Sequence, residues 1–364
     1  MSRAVQALPV GIPGDGEMQG SAKLEFGERR KALLVVLLLV LVIAAAVVAT
    51  LSGTYDLSVL EVLETFRVRL PWVADARVDR VHDTIVWQIR LPRVLVGVLV
   101  GFGLATAGAV YQGTFRNPLV EPFILGVSAG ASFGASLAIL YPGLFLNLQV
   151  GAFGFGLVAV SIVYFSSRIH GQNSPVNLIL AGVIVSSLFQ ALVSILKYSS
   201  DDAALRAIVF WIMGGLYFAG WNDIAYLFPV VVVTIAIIWV LGWRLNVLSM
   251  GDDEARSLGI HPGRLRLVLI LLATLMTGIV VASVGVIAWV GLMMPHAARM
   301  MLGPDHRFVI PGAALLGAAY LLLCDTLART LIGTEIPLSI ITSILGAPYL
   351  LYLLRSRGRA VFGG

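Results

Sequence analysis

Residues 267–303 read LVLILLATLMTGIVVASVGVIAWVGLMMPHAARMMLG and form one continuous apolar run. A hydrocarbon core about 30 Å thick needs about 20 apolar residues per helical crossing, so this run is far too long for one crossing. Further apolar runs lie at 32–52, 93–113, 122–141, 144–166, 176–197, 224–243, 308–328 and 337–354. They are continuous rather than alternating, which excludes a closed β-barrel and predicts an all-α fold, a polytopic transmembrane helical bundle.

Charge decides how the long run is divided. Two arginines precede it, Arg264 and Arg266, and two stand at its far end, Arg299 and Arg307. Basic residues favour the cytoplasmic side, so both ends are expected there and the run must cross twice. A turn near 283–291 would separate a full helix from one short interrupted helix. This division predicts about ten crossings per subunit, with both termini in the cytoplasm.

The composition points to the lipid bilayer as the solvent. Hydrophobic residues make up 59% of the 364-residue chain and charged residues 12%, with a mean hydropathy of +0.93. One soluble core would not hide this much apolar surface. The net charge of +5 comes from basic residues spread singly between apolar runs, which does not fit a nucleic-acid-binding face.

Catalytic and cofactor sites are not expected in this chain. The only cysteine, Cys324, lies in an apolar run without a Cys-His metal pattern. None of the lysines, Lys23, Lys31 and Lys197, stands in a G-x-x-x-x-G-K-[ST] motif, so any ATP would have to bind to another chain. Ser128 in GVSAGA resembles a nucleophile elbow but has no His or Asp arranged as partners. The prediction is a protein that is not an enzyme, without a metal or cofactor.

Three segments follow from the distribution of apolar and charged residues. Residues 1–31 show mixed charge without apolar periodicity and are predicted to be a disordered cytoplasmic leader. Residues 32–357 form the predicted transmembrane domain, and 358–364 a cytoplasmic tail. The run at 32–52 exceeds the core of a signal peptide and is interpreted as a retained helix. Residues 201–220 are predicted to form a short external helix at the membrane surface, with a partial re-entrant helix as the alternative.

Small and polar residues at membrane depth mark a possible translocation path. Small residues recur with four-residue spacing in the second and third predicted crossings, which allows either close helix packing or a backbone-lined path. Spacing alone leaves both interpretations open. Strongly polar side chains in a membrane are costly and often functional. The candidate path residues are Gln112, Gly126, Ser128, Gly130 and Asp325.

The longest predicted cytoplasmic connection is the charged loop 246–266, NVLSMGDDEARSLGIHPGRLR. Acidic residues from Asp252 onward predict a short helix start, and Gly259 is suited to end it. Either a solvated loop or a protein-docking knob fits this pattern. Leu258 and Ile260 favour docking, because they are apolar groups with no membrane to enter.

Several motifs in order resemble a known family. They are RLPRVLVGVLVG at 90–101, GAVYQGTFRNPLVEPFILGVSAGA at 108–131, WIMGGL at 211–216, GDDEARSLGI at 251–260, VGLMMPHAARMMLGPDHR at 290–307 and EIPLSIITSILGAPYLLYLL at 335–354. The chain resembles FecCD-type permeases, which import iron-siderophores, haem and cobalamin, over residues 56–357. Val120, Glu121 and Gly215 depart mildly from the family pattern.

The resemblance implies an ABC importer permease in the bacterial inner membrane. It implies a homodimer with two separate ATPase subunits beneath it and a substrate-binding protein outside. The matching loop in that family couples to the ATPases, so this role would pass to Asp253, Glu254, Ala255, Leu258 and Gly259. Outer-face arginines that dock the binding protein correspond in position to Arg329, with Arg77 and Arg80 as further candidates.

The predicted mechanism is alternating access driven by a partner ATPase, with an iron chelate, haem or cobalamin as cargo. A molybdate-type oxyanion importer of the same fold is an alternative. An ion-coupled secondary transporter is another, in which Asp325 and Glu335 would be proton or cation sites.

Overall fold

A computed structural model describes residues 15–69, 79–144, 147–168, 174–332 and 334–361. Every regular element within these ranges is helical. The helices are α1 (Asp15–Leu51), α2 (Val59–Arg67), α3 (Arg80–Thr84), a π-helical turn (Ile85–Arg90), α4 (Leu91–Phe115), α5 (Val127–Leu140), α6 (Leu148–Ser166), α7 (Pro175–Ser199), α8 (Asp202–Ile212), α9 (Trp221–Val240), α10 (Gly242–Met250), α11 (Asp252–Ser257), α12 (Pro262–Val284), α13 (Val290–Leu302), α14 (His306–Thr330) and α15 (Leu338–Val361).

The described residues contain seven helical stretches long and apolar enough to cross a membrane. They lie in α1 from Gly27 onward, in the continuous segment Arg80–Phe115, and in α6, α7, α9, α12 and α14. Shorter apolar helices are α5 and the Leu338–Tyr352 part of α15, and α13 forms the second half of the long run. The predicted all-α bundle of about ten crossings is confirmed.

The long apolar run is interrupted where the sequence predicts a turn. Helix α12 ends at Val284, and α13 begins at Val290. Gly285 and Trp289 both have φ of 74°, a left-handed conformation that glycine adopts readily and tryptophan rarely. Residues 285–289 therefore form the break that separates the full helix from the short one.

The first helix starts earlier than expected. It begins at Asp15, after Pro13, and continues through the charged stretch into the apolar run, so the boundary expected at 31/32 is not a helix start. Residues 1–14 lie outside the described part of the chain. The division into leader, transmembrane domain and tail stays a prediction.

The predicted external segment 201–220 contains α8 and a loop that enters the protein. The Gly215 amide donates to the Val284 carbonyl at 2.8 Å, and the Leu338 amide donates to the Gly214 carbonyl at 3.0 Å. This loop therefore packs against the α12–α13 break and the start of α15. Helix α8 itself buries only Ile208, and its depth relative to the membrane stays a prediction.

Helix α4 forms the centre of the bundle and is buried along most of its length. A Cβ at Gly101 would overlap the backbone of Gly317 in α14, and one at Gly108 would overlap the Gly291 carbonyl in α13. A glycine also allows the close contact between α5 and α6, because a Cβ at Gly130 would overlap the Phe155 carbonyl of α6. At these glycines the small-residue pattern serves close helix packing.

Candidate functional site

A knob formed by α10, α11 and the turn after them projects from the end of α9. The Ile260 amide donates to the Ala255 carbonyl at 2.9 Å, and the Gly259 amide donates to the Arg256 carbonyl at 3.0 Å. This is a Schellman motif, whose left-handed position is filled by Gly259 with φ of 76°. The predicted helix start at Asp252 and its termination by Gly259 are confirmed.

Three of the five predicted coupling residues face outward from the knob. Asp253 and Glu254 are exposed, and Leu258 keeps 56% of its surface exposed although it is apolar. Ala255 is fully buried beneath them, and Gly259 shapes the turn. The knob therefore presents two acids on α11 and one large apolar side chain directly after that helix.

The knob is fixed to two long helices. The Asp252 carboxylate accepts a hydrogen bond from the Arg266 guanidinium of α12 at 2.8 Å. The Asn246 side chain donates to Asp305 at 2.7 Å and accepts from the His306 backbone amide at 2.8 Å, at the start of α14. Partial burial alone would raise the pKa of Asp305, but hydrogen bonds from Arg307 and Asn246 lower it to about 2. Motion of the knob would therefore be transmitted to α12 and α14.

We expect Gly259→Ala to loosen the knob, because alanine at a left-handed position costs about 1 kcal/mol. Hydrogen–deuterium exchange of the Gly259 and Ile260 amides should accelerate about fivefold in the variant. Gly263→Ala is the matched control, since Gly263 lies in the first turn of α12 with no atom within 4 Å of an added Cβ. Equal exchange rates in the wild type and Gly259→Ala would contradict the proposed role of the turn.

A second polar junction joins the C-terminal part of α4 to α13. Gln112 is buried, and its amide donates to the Val120 carbonyl at 3.2 Å and to the Leu292 carbonyl at 3.1 Å. Its side-chain oxygen accepts from Arg299. Gln112 thus holds the 116–126 loop and α13 together, and it also borders a cavity of about 510 Å³.

Glu121 and Trp289 connect the same loop to the helix break. A Glu121 carboxylate oxygen accepts from the Trp289 backbone amide at 2.8 Å, at the residue preceding α13. The Trp289 indole N–H donates to the Ser343 hydroxyl of α15 at 3.0 Å. Trp289 therefore connects the loop, the break and α15, through its backbone amide on one side and its indole on the other.

An ion-pair network lies at the other end of the bundle, between α4, α14 and the residues before α15. The Arg93 guanidinium binds Asp325 at 2.9 Å and Glu335 at 2.9 Å. Arg329 lies 3.1 Å from Asp325, whose side chain is fully buried. Each carboxylate of this network is therefore paired with a cation.

The position of Arg329 does not support its predicted docking role. Only 5% of Arg329 is exposed, and its guanidinium donates to the carbonyls of Ser52 and Ala49 at 3.0 and 3.1 Å. A guanidinium enclosed in this way is not presented to a binding protein, so this expectation is corrected. Arg80 is exposed at the start of α3 and remains a candidate. Arg77 lies outside the described residues.

The predicted path residues separate into two groups. Gln112 and Asp325 are enclosed by packing, and Gly130 serves the α5–α6 contact. Gly126 precedes α5 with φ of 81°, and Ser128 is half-buried and borders two cavities. Of the five residues, Ser128 lines the two cavities beside α7, and Gln112 lines a separate cavity of about 510 Å³ beside Arg116 and Asn246.

Sequence reasoning missed the residues opposite Ser128. Gln190 of α7 lines both cavities, and Ser194 and Lys197 of the same helix line one of them. Their spacing of three and four residues in an apolar run is the signal that could have identified them.

The long apolar helices make this a polytopic membrane protein. The short helix after the break and the projecting knob are typical of the transport class. The model of the FecCD transport family matches residues 35–356, and the chain belongs to that family.

Similar proteins agree with this assignment. The molybdate import system permease protein MolB of Haemophilus influenzae is 40% identical over 316 residues, covering 86% of this chain and 93% of that protein. The hemin transport system permease protein HmuU of Yersinia pestis is 42% identical over 278 residues, covering 74% and 83%. A solved structure described as an inward-facing conformation of a metal-chelate type ABC transporter matches with a TM-score of 0.79 and 38% identity, covering 89% and 99%. The chain is therefore a multi-pass permease of an ABC importer.

Proposed function

We propose that two copies of this chain form the membrane pathway of an importer in the bacterial inner membrane. In this proposal two ATPase subunits bind the cytoplasmic knobs and a substrate-binding protein docks outside, with Arg80 and Arg77 among its contacts. Both termini would lie in the cytoplasm. The observation that carries the proposal is the knob itself, in which exposed Leu258 follows the acidic helix α11 and the knob is fixed to α12 and α14.

Coupling would proceed through rigid contacts rather than through chemistry in this chain. ATP binding and hydrolysis in the partner would push on Asp253, Glu254 and Leu258, with Ala255 and Gly259 maintaining the shape of the knob. The Asp252–Arg266 and Asn246–Asp305 contacts would pass the motion to two crossing helices. The permease would then alternate between outward-open and inward-open states without a cofactor of its own.

The proposed cargo is an iron chelate, such as a ferric siderophore or haem, or cobalamin. The name of HmuU and the description of the metal-chelate transporter support this class. The name of MolB supports a molybdate-type oxyanion as the alternative. The ion-coupled alternative is not favoured, because Arg93 already pairs with Asp325 and Glu335.

Co-purification tests the partner assignment. The full chain, tagged at its C-terminus and purified gently from its host, should carry one P-loop ATPase per permease by mass spectrometry. Leu258→Ser should weaken ATPase binding about tenfold, because docking would bury roughly half of a leucine side chain. Uptake should fall in parallel. Met301→Ser, at an exposed residue on α13, is the control.

Two results together would contradict the proposal. One is that no ATPase co-purifies under conditions that preserve the dimer, and the other is that a triple variant with Asp253→Asn, Glu254→Gln and Leu258→Ser retains full uptake.

A further inference from the structure

One face of α7 carries polar side chains through the middle of a membrane crossing. Ser187, Gln190, Ser194 and Lys197 follow each other at helical spacing within Pro175–Ser199. The two hydroxyls donate to the carbonyls of Val183 and Gln190, each at 2.9 Å. The Gln190 amide is exposed and has no partner among the described residues. Such an amide is costly in hydrocarbon, so this face is expected to meet water or polar groups.

Open space lies along this face. A cavity of about 400 Å³ is bordered by Glu121, Ser128 and Gln190, and a second of about 360 Å³ by Ser128, Gln190 and Lys197. Because they share Ser128, Ala129 and Gln190, the two cavities form one groove between α5 and α7. We name it the α5–α7 groove.

The charges along the α5–α7 groove are unequal. Lys197 has no carboxylate within 4.0 Å in the described part of the chain, and it borders the end of the groove near α8. Glu121 borders the other end, where an oxygen is engaged by the Trp289 amide. A free ammonium at the first end leaves that end electropositive.

The cytoplasmic side adds further positive charge. A cavity of about 910 Å³ there is lined by five arginines and three acids. Asp252 and Asp253 are paired with arginines, whereas Arg168 and Arg264 form no ion pair within the described residues. Both arginines are exposed. An anion that enters this cavity would meet two guanidinium groups that form no ion pair among the described residues.

We propose that the α5–α7 groove is the cargo path of this subunit and that Lys197 makes it selective for anionic cargo. The inference rests on the proposed import function and narrows its cargo to an anionic chelate or an oxyanion. The Gln190 amide would donate hydrogen bonds to cargo oxygens along the path, while the Ser187 and Ser194 hydroxyls donate to backbone carbonyls of α7. A single fixed charge at the mouth raises the local concentration of anions and lowers that of cations.

Thiol reactivity tests the position of the path without requiring transport. In a Cys324→Ala background, Ser194→Cys is compared with Ile195→Cys, its neighbour on an exposed apolar face of α7. Membrane vesicles carrying the full chain and its partner subunits are treated with charged methanethiosulfonate reagents. The cysteine at 194 should react at least tenfold faster than the one at 195. Equal rates would overturn the assignment of the path.

The charge preference is read from two reagents. At Ser194→Cys, the anionic sulfonatoethyl reagent should react faster than the cationic trimethylammonium reagent, after correction for their rates with a free thiol. Lys197→Gln should lower this ratio about fivefold, the size expected for one charge at short range in a partly hydrated site. Arg206→Gln is the matched control, because Arg206 is an exposed charge on α8 that borders neither cavity of the groove. A ratio unaffected by Lys197→Gln would overturn the selectivity.

The two proposals fail separately. Thiol reactivity does not depend on ATP hydrolysis, so loss of the charge preference leaves the importer assignment intact. Absence of an ATPase partner would remove the import function while the reactivity of position 194 could still be measured.

Discussion

Replacing Asp325 with alanine is expected to lower the free energy of unfolding by about 3–5 kcal/mol. The substitution removes the carboxylate that faces both Arg93 and Arg329, and Asp325 itself is fully buried. Two guanidinium groups with little solvent access would be left with incomplete compensation. Denaturant titration of the purified chain in detergent micelles, followed by tryptophan fluorescence, measures the change.

Glu335→Ala is the internal control for this network. Glu335 binds the same guanidinium at 2.9 Å, but 32% of its side chain is exposed, so water can replace it. We expect a loss of about 1 kcal/mol or less. Equal losses for Asp325→Ala and Glu335→Ala would contradict the conclusion that burial makes the Asp325 pair decisive.

Gly108→Ala is expected to destabilise the bundle by about 3 kcal/mol, at the upper end for overpacking. The added methyl group would overlap the Gly291 carbonyl, which is backbone and has no rotamer through which to withdraw. Helix α13 would have to move away from α4, which would also disturb the hydrogen bonds from Gln112 to the Val120 and Leu292 carbonyls. The same titration in micelles measures the effect.

Gly154→Ala provides a control of opposite sign. Gly154 lies inside α6, and no atom stands within 4 Å of an added Cβ. Alanine is a better helix former than glycine by about 1 kcal/mol, so this variant should be unchanged or more stable. Loss of stability in Gly154→Ala comparable with that in Gly108→Ala would indicate a general intolerance of glycine substitutions instead of one close contact.

The large-scale organisation of the chain could be predicted because its signals are local. The length of an apolar run decides whether a helix can cross, and the arginines that flank 267–303 require two crossings there. The knob is also encoded locally, by acids in the first turn of α11 and a glycine two residues after its end. These features need no knowledge of which helices are neighbours.

The roles of individual polar residues could not be predicted in the same way. Arg329 was expected at the outer surface, but its partners Asp325, Ala49 and Ser52 enclose it. Gln112 was expected on the path, but it bonds to carbonyls of the adjoining loop and of α13. Helical periodicity predicts the face of the helix on which a residue lies. It does not predict which neighbouring helix, loop or cavity that face contacts.

The sequence by itself determined an all-helical membrane bundle, the division of residues 267–303 into two helices and the capped knob, because hydrophobic length and helix caps act over one element. Only the tertiary structure decided which glycines are contact points, which carboxylates are neutralised and which face of α7 borders the open groove. The physical reason is distance along the chain. Arg93 and Asp325 are 232 residues apart, and their pairing arises only when α4 and α14 pack side by side.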